Sequence, residues 1–162
     1  MMIEPFVTEE QEAARWLKSP LPGVDDMTWT RFVLSMKVAR TGSVSASGSL
    51  GMFELRPRRL ADLGVLKNVH PDSGRWVGDF IQPVTQKGFL SSPKMQYQVF
   101  VASMREYTKT LSQAAKTAKA ASLSGILSIV HRAGYSGVKK FLENGELFPE
   151  TKALFDKVNW LF

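Results

Sequence analysis

Apolar residues along this chain recur mostly at the three-and-four spacing of a helix rather than the alternation of a strand. Trp29, Phe32, Val33 and Met36 stand at i, i+3, i+4 and i+7 and predict a buried helix starting near Thr28. Leu34 and Val38 are apolar on its other side, so this helix is expected to be central. Met95, Val99, Phe100, Ala102, Met104, Tyr107 and Leu111 form a second stripe behind Ser92 and Pro93, which suit the N-cap and first position of a long helix. The pattern leaves open whether that helix continues through the Ala- and Lys-rich residues 113–121.

Capping residues mark the remaining elements. Thr8 and Gln11 form a capping box with Glu9 and Glu10 in the first turn, predicting a helix over 9–18 that Pro20 and Pro22 stop. Pro57 opens a short helix through Leu63, with Gly64 as its left-handed end and Val65 or Leu66 folding back on Leu60. Ser124 suits the cap of a helix over 125–132 with Gly134 after it, and Ser136 the cap of another over 137–143 with Gly145 after it. Pro149 opens a last helix ending near Asn159. Residues 41–49 are small and uncharged and read as a loop, and residues 69–77 as a small β-hairpin or irregular flap. The expected fold is therefore all-α, or mainly α, with an N-terminal helix and linker over 1–26 and a helical domain over 27–162.

Composition narrows the chemistry. The 162 residues suffice for one domain with a sizeable core. No apolar run approaches the roughly 20 residues that span a bilayer, and residues 1–12 lack the basic and apolar regions of a secretory signal. Without cysteine there is neither disulfide nor thiolate metal site, and His70 and His131 alone do not suggest zinc, so neither metal nor cofactor is expected. Residues 27–140 carry seventeen Lys and Arg against five Asp and Glu. That excess is either a solvated face or a field that attracts a polyanion, whether nucleic acid, anionic cell-wall polymer or acidic protein. The segment Gly48-Ser49-Leu50-Gly51 lacks the Lys-Ser/Thr ending of a phosphate-binding loop. Two histidines in these settings support no Ser-His-Asp triad.

The segment Gly51-Met52-Phe53-Glu54-Leu55-Arg56-Pro57 resembles the Gly-Leu-Met-Gln-Leu-Met-Pro stretch of soluble lytic transglycosylases, and Leu60-Ala61-Asp62-Leu63-Gly64 resembles the helix and glycine stop that follow it. Residues 89–96, 124–127, 131–142 and 148–162 are similar to phage-associated and bacterial members of the same lysozyme-like superfamily. The resemblance spans about residues 28–162. It implies a helical lysozyme-like fold with a groove for alternating N-acetylated aminosugars. It also implies one carboxylic acid, at the end of a buried helix, that protonates the glycosidic oxygen and then takes a proton back.

That acid is missing from its place. The corresponding positions are Met36-Lys37-Val38-Ala39-Arg40-Thr41-Gly42, and no Asp or Glu occurs from Met27 to Phe53. Lys and Arg are poor proton donors at neutral pH. Glu54, standing where the family motif has glutamine, is the substitute candidate. Apolar Phe53 and Leu55 beside it favour a protonated acid, whereas Arg56, Arg58 and Arg59 favour the carboxylate. Pairing with Arg40 or Arg58 is its structural alternative.

The glycan-binding candidates are Ser49, Gly51, Met52, Phe53, Trp76, Tyr97, His131 and Tyr135. Tyr97 and Tyr135 could stack on sugar rings or serve as core tyrosines, and His131 could face the cleft or be a satisfied core histidine. Trp29 and Trp160 are expected to pack the domain, and Trp76 to be the exposed tryptophan.

Three readings follow. The first is a catalytically degenerate transglycosylase-like domain with a structural or peptidoglycan-binding role, its partners being glycan strands or other virion or assembly proteins, located in a virion or in the cytoplasm before assembly. The second is an active peptidoglycan hydrolase using Glu54. The third is a basic helical nucleic-acid-binding module.

Overall fold

A computed structural model describes residues 15–162. Most of the helix expected over 9–18 lies outside the described residues; Arg15 and Trp16 form a turn, and Leu17 and Lys18 are not helical. The described chain is helix-rich with one antiparallel hairpin. In order its elements are α1 (Asp26–Ser35), α2 (Pro57–Asp62), β1 (Leu66–Asp72), β2 (Arg75–Phe80), α3 (Gln86–Leu90), α4 (Pro93–Thr117), α5 (Leu123–Asn144) and α6 (Pro149–Val158). They fall into two compact units. One comprises the described residues 15–36 together with Met104–Phe162; the other is Lys37–Ser103.

In the first unit, α1 buries the predicted face, with Trp29, Phe32, Val33 and Met36 all fully enclosed. The helix starts earlier than Thr28 because Asp25, read from the sequence as linker, caps it by accepting a 2.7 Å bond from the Thr28 amide. Trp29, Phe32 and Phe162 form an aromatic cluster with centroids 5.1–5.9 Å apart. The α5 and α6 helices pack closely where Gly125 abuts Phe155 and Asn159, an approach that a side chain at 125 would block. Ser124 does not cap α5 as expected. Its hydroxyl donates instead to the Val158 carbonyl at 2.6 Å, and Ser122 holds the cap position.

The two helices expected over 125–132 and 137–143 are one span broken at Gly134, whose backbone (φ 70, ψ −175) is non-helical. That conformation is open almost only to glycine. A further correction concerns Trp160, expected to pack: it is 64% exposed.

In the second unit, α2 ends in a Schellman motif. The Val65 amide donates to Leu60 O at 2.8 Å, the Gly64 amide donates to Ala61 O at 3.1 Å, and Gly64 is left-handed as predicted. The β1 and β2 strands pair from Leu66↔Phe80 to Asp72↔Arg75, with an irregularity between Lys67 and His70. The predicted flap is thus a hairpin longer than the residues 69–77 assigned to it. The α3 helix was not foreseen; Thr85 caps it through the Gly88 amide.

The long α4 begins as expected, with Ser92 Oγ accepting from the Met95 amide, and continues to Thr117. Its buried face differs from the predicted stripe. Gln96, Tyr97, Phe100, Ser103, Met104, Tyr107 and Leu111 are buried, Met95 and Val99 are only partly covered, and Ala102 is exposed.

Candidate functional site: the 51–54 turn and the hairpin cleft

Residues 50–55 fold as a tight turn. Leu50 and Leu55 exchange backbone hydrogen bonds of 2.9 and 3.0 Å, and residues 51–54 close the loop between them. The closure requires positive φ at Gly51 (79°) and at Glu54 (46°). Leu50 also bridges Val44, so the small-residue loop lies against the turn. Within that loop the Ser49 amide donates to Ser45 Oγ at 2.9 Å, and the Gly51 amide donates to Ser43 O at 2.8 Å.

Gln96 ties three segments together. It is fully buried; its Oε1 accepts from the Met52 amide at 2.8 Å, and its Nε2 donates to Thr41 O at 2.8 Å and Phe89 O at 2.9 Å. The absence of a side chain at Gly51 leaves room for this amide, because a Cβ there would run into it. Phe53 stacks on Phe100 at 4.1 Å and meets Tyr97 edge-on at 5.8 Å. Lys37, two residues past the end of α1, lies with its ammonium 5.9 Å from the centre of the Tyr97 ring. Burial pushes its pKa below the ordinary 10.5, because desolvation penalises the charged form. Arg59 is buried as well, donating to Ser103 Oγ at 2.8 Å and Ser103 O at 3.1 Å, with Asp62 3.7 Å away.

Beside the turn lies a cleft of about 180 Å³ lined by the 44–50 loop, Pro57 and the hairpin, with Val44, Leu50, Leu66 and Phe80 among its apolar walls. The Trp76 amide donates to Ser47 O at 3.0 Å, and Gly48 sits flush against the Trp76 carbonyl, which fixes the hairpin to the loop. The Arg58 guanidinium lies 4.3 Å over the Trp76 ring. Trp76 is therefore partly covered, not the exposed tryptophan the sequence suggested. No Asp, Glu or His is among the described residues lining the cleft.

Ser49, Gly51, Met52, Phe53, Glu54, Trp76 and Tyr97 thus belong to one unit. Trp76 lines the cleft, Ser49, Gly51, Met52, Phe53 and Tyr97 are buried, and Glu54 is half-buried on the turn without lining the cleft. His131 and Tyr135 belong to the other unit. His131 is buried there; Tyr135 is half exposed, its hydroxyl 2.8 Å from Thr110 Oγ1 and its ring 5.5 Å from Tyr107. Among the described residues no group of His, Asp and Glu is placed to hold a metal ion, and no helix is long and apolar enough to cross a membrane.

Sequence reasoning missed Gln96 and the Arg58–Trp76 stack. Gln96 shares a helical face with Tyr97, Phe100 and Met104, a register that was the available signal; the stack joins residues on separate elements and leaves no local trace. No protein-family model, curated protein or solved structure matches the chain.

Proposed function

We propose that this chain is a catalytically degenerate lysozyme- or transglycosylase-like domain serving as a structural or peptidoglycan-binding component, of a virion or of a cell-wall-penetrating apparatus. The observation that carries this reading is Lys37. Where the family it resembles places its general acid, after the central helix, this chain has an ammonium set against an aromatic ring. Glu54 is a poor replacement, since it sits on a strained turn and is not among the residues lining the cleft. A general acid must reach within about 3 Å of the oxygen it protonates.

The test is to incubate the purified protein, beside Glu54→Gln, with insoluble peptidoglycan, and to measure both sedimentation with the polymer and soluble fragments by mass. The expected result is co-sedimentation of both proteins with no anhydro or reducing sugar ends released. Fragments released by the parent and lost in Glu54→Gln would make it a hydrolase. Failure to sediment, together with duplex DNA binding that falls steeply with salt, would favour the nucleic-acid reading.

A further inference from the structure

The hairpin cleft combines apolar walls with one cationic residue, Arg75. Arg75 and Gln86 supply polar groups to a lining otherwise dominated by residues such as Val44, Leu50, Leu66 and Phe80. Neither the Arg75 nor the Gln86 side chain has a hydrogen-bond or ion-pair partner among the described residues. Beside the cleft, the Arg58 guanidinium lies 4.3 Å over the Trp76 ring, and its N–H groups likewise have no such partner among the described residues. With nine Lys and Arg against four Asp and Glu, the unit Lys37–Ser103 favours an anion over a cation.

Size and geometry narrow the ligand. A volume of about 180 Å³ is slightly more than the roughly 150 Å³ of a cavity that admits one benzene ring. Arg75 is the single arginine in the lining, and a guanidinium presents a planar fork that matches a planar carboxylate bidentately. The walls are preset, because Ser47 and Gly48 hold the Trp76 backbone in place.

We propose that this cleft binds a free, small monocarboxylic acid with one aromatic or branched apolar group, the hydrocarbon against Leu50, Leu66 and Phe80 and the carboxylate on Arg75. This assignment does not depend on the peptidoglycan reading.

The experiment is a titration of the full chain with phenylacetate, followed through the Trp76 indole N–H resonance, with phenylacetamide and a phenylalanine-ended pentapeptide in parallel. The expected result is saturable binding of phenylacetate at least about tenfold tighter than the amide, a gap of about 1.4 kcal/mol. Arg75→Gln should remove that preference while leaving the weak amide binding unchanged, and Arg75→Lys should restore only part of it. Equal affinity for acid and amide, or no saturable shift, overturns the proposal. Tighter binding of the pentapeptide also overturns it, by making the cleft a docking site for a chain end.

Discussion

Gln96 shows how much one polar side chain can hold. Its amide meets one backbone donor and two backbone acceptors from three segments, and the bonds to Met52 and Phe89 are buried. Gln96→Met keeps the length and removes every bond, leaving buried polar groups at roughly 1–3 kcal/mol each. Urea denaturation should show a loss of about 3 kcal/mol or more. Gly51→Ala should cost on the order of 1–3 kcal/mol by the same measurement, since it strains a left-handed backbone and pushes on the same amide.

Lys37 makes a separate prediction. Its folded pKa lies below its unfolded value, so the unfolded chain binds more protons between the two, and stability should rise with pH through that window towards 10.5. The Lys37 side-chain carbon resonances should titrate earlier than those of the exposed lysines. A midpoint equal to theirs would show that the ammonium is fully hydrated.

At the scale of elements, caps and breaks decide where helices run. Asp25 caps α1, and the hydrogen bonds it accepts from Thr28 hold its carboxyl below the ordinary 3.8. A depressed folded pKa contributes stability above the unfolded value and loses it as pH falls through the folded one. Asp25→Ala should therefore destabilise the protein at neutral pH, and the difference from the parent should shrink in thermal melts at pH values below 3.8. The break in α5 rests on Gly134. A Cβ at that position meets nothing within 4 Å, so space is not the obstacle. The backbone region itself excludes side chains, and Gly134→Ala should cost on the order of 1–3 kcal/mol in chemical denaturation.

At the scale of the whole molecule, each of the two units holds its own aromatic cluster, Trp29, Phe32 and Phe162 in one and Phe53, Tyr97 and Phe100 in the other. Amide exchange should reveal this division. Gln96→Met is expected to lower protection across Lys37–Ser103 more than across α5 and α6. A uniform loss would mean that the units open as one.

What the sequence by itself determined is local. Period, caps and glycine stops placed α1, α2, α4 and α6 close to where they stand, because hydrophobic spacing and backbone hydrogen-bond satisfaction act over a few residues. The break at Gly134 and the left-handed Gly64 were legible for the same reason. Only the tertiary structure decided which faces and tips were covered. Gln96 entered the core because loop, turn and helix end each brought it a backbone partner; Trp76 was partly covered by an arginine from α2; Trp160 was left in solvent. The acid's absence from the end of α1 could be read in the sequence. That a buried-edge lysine lies there against Tyr97, and that Glu54 sits outside the cleft lining, depends on contacts between residues far apart in the chain.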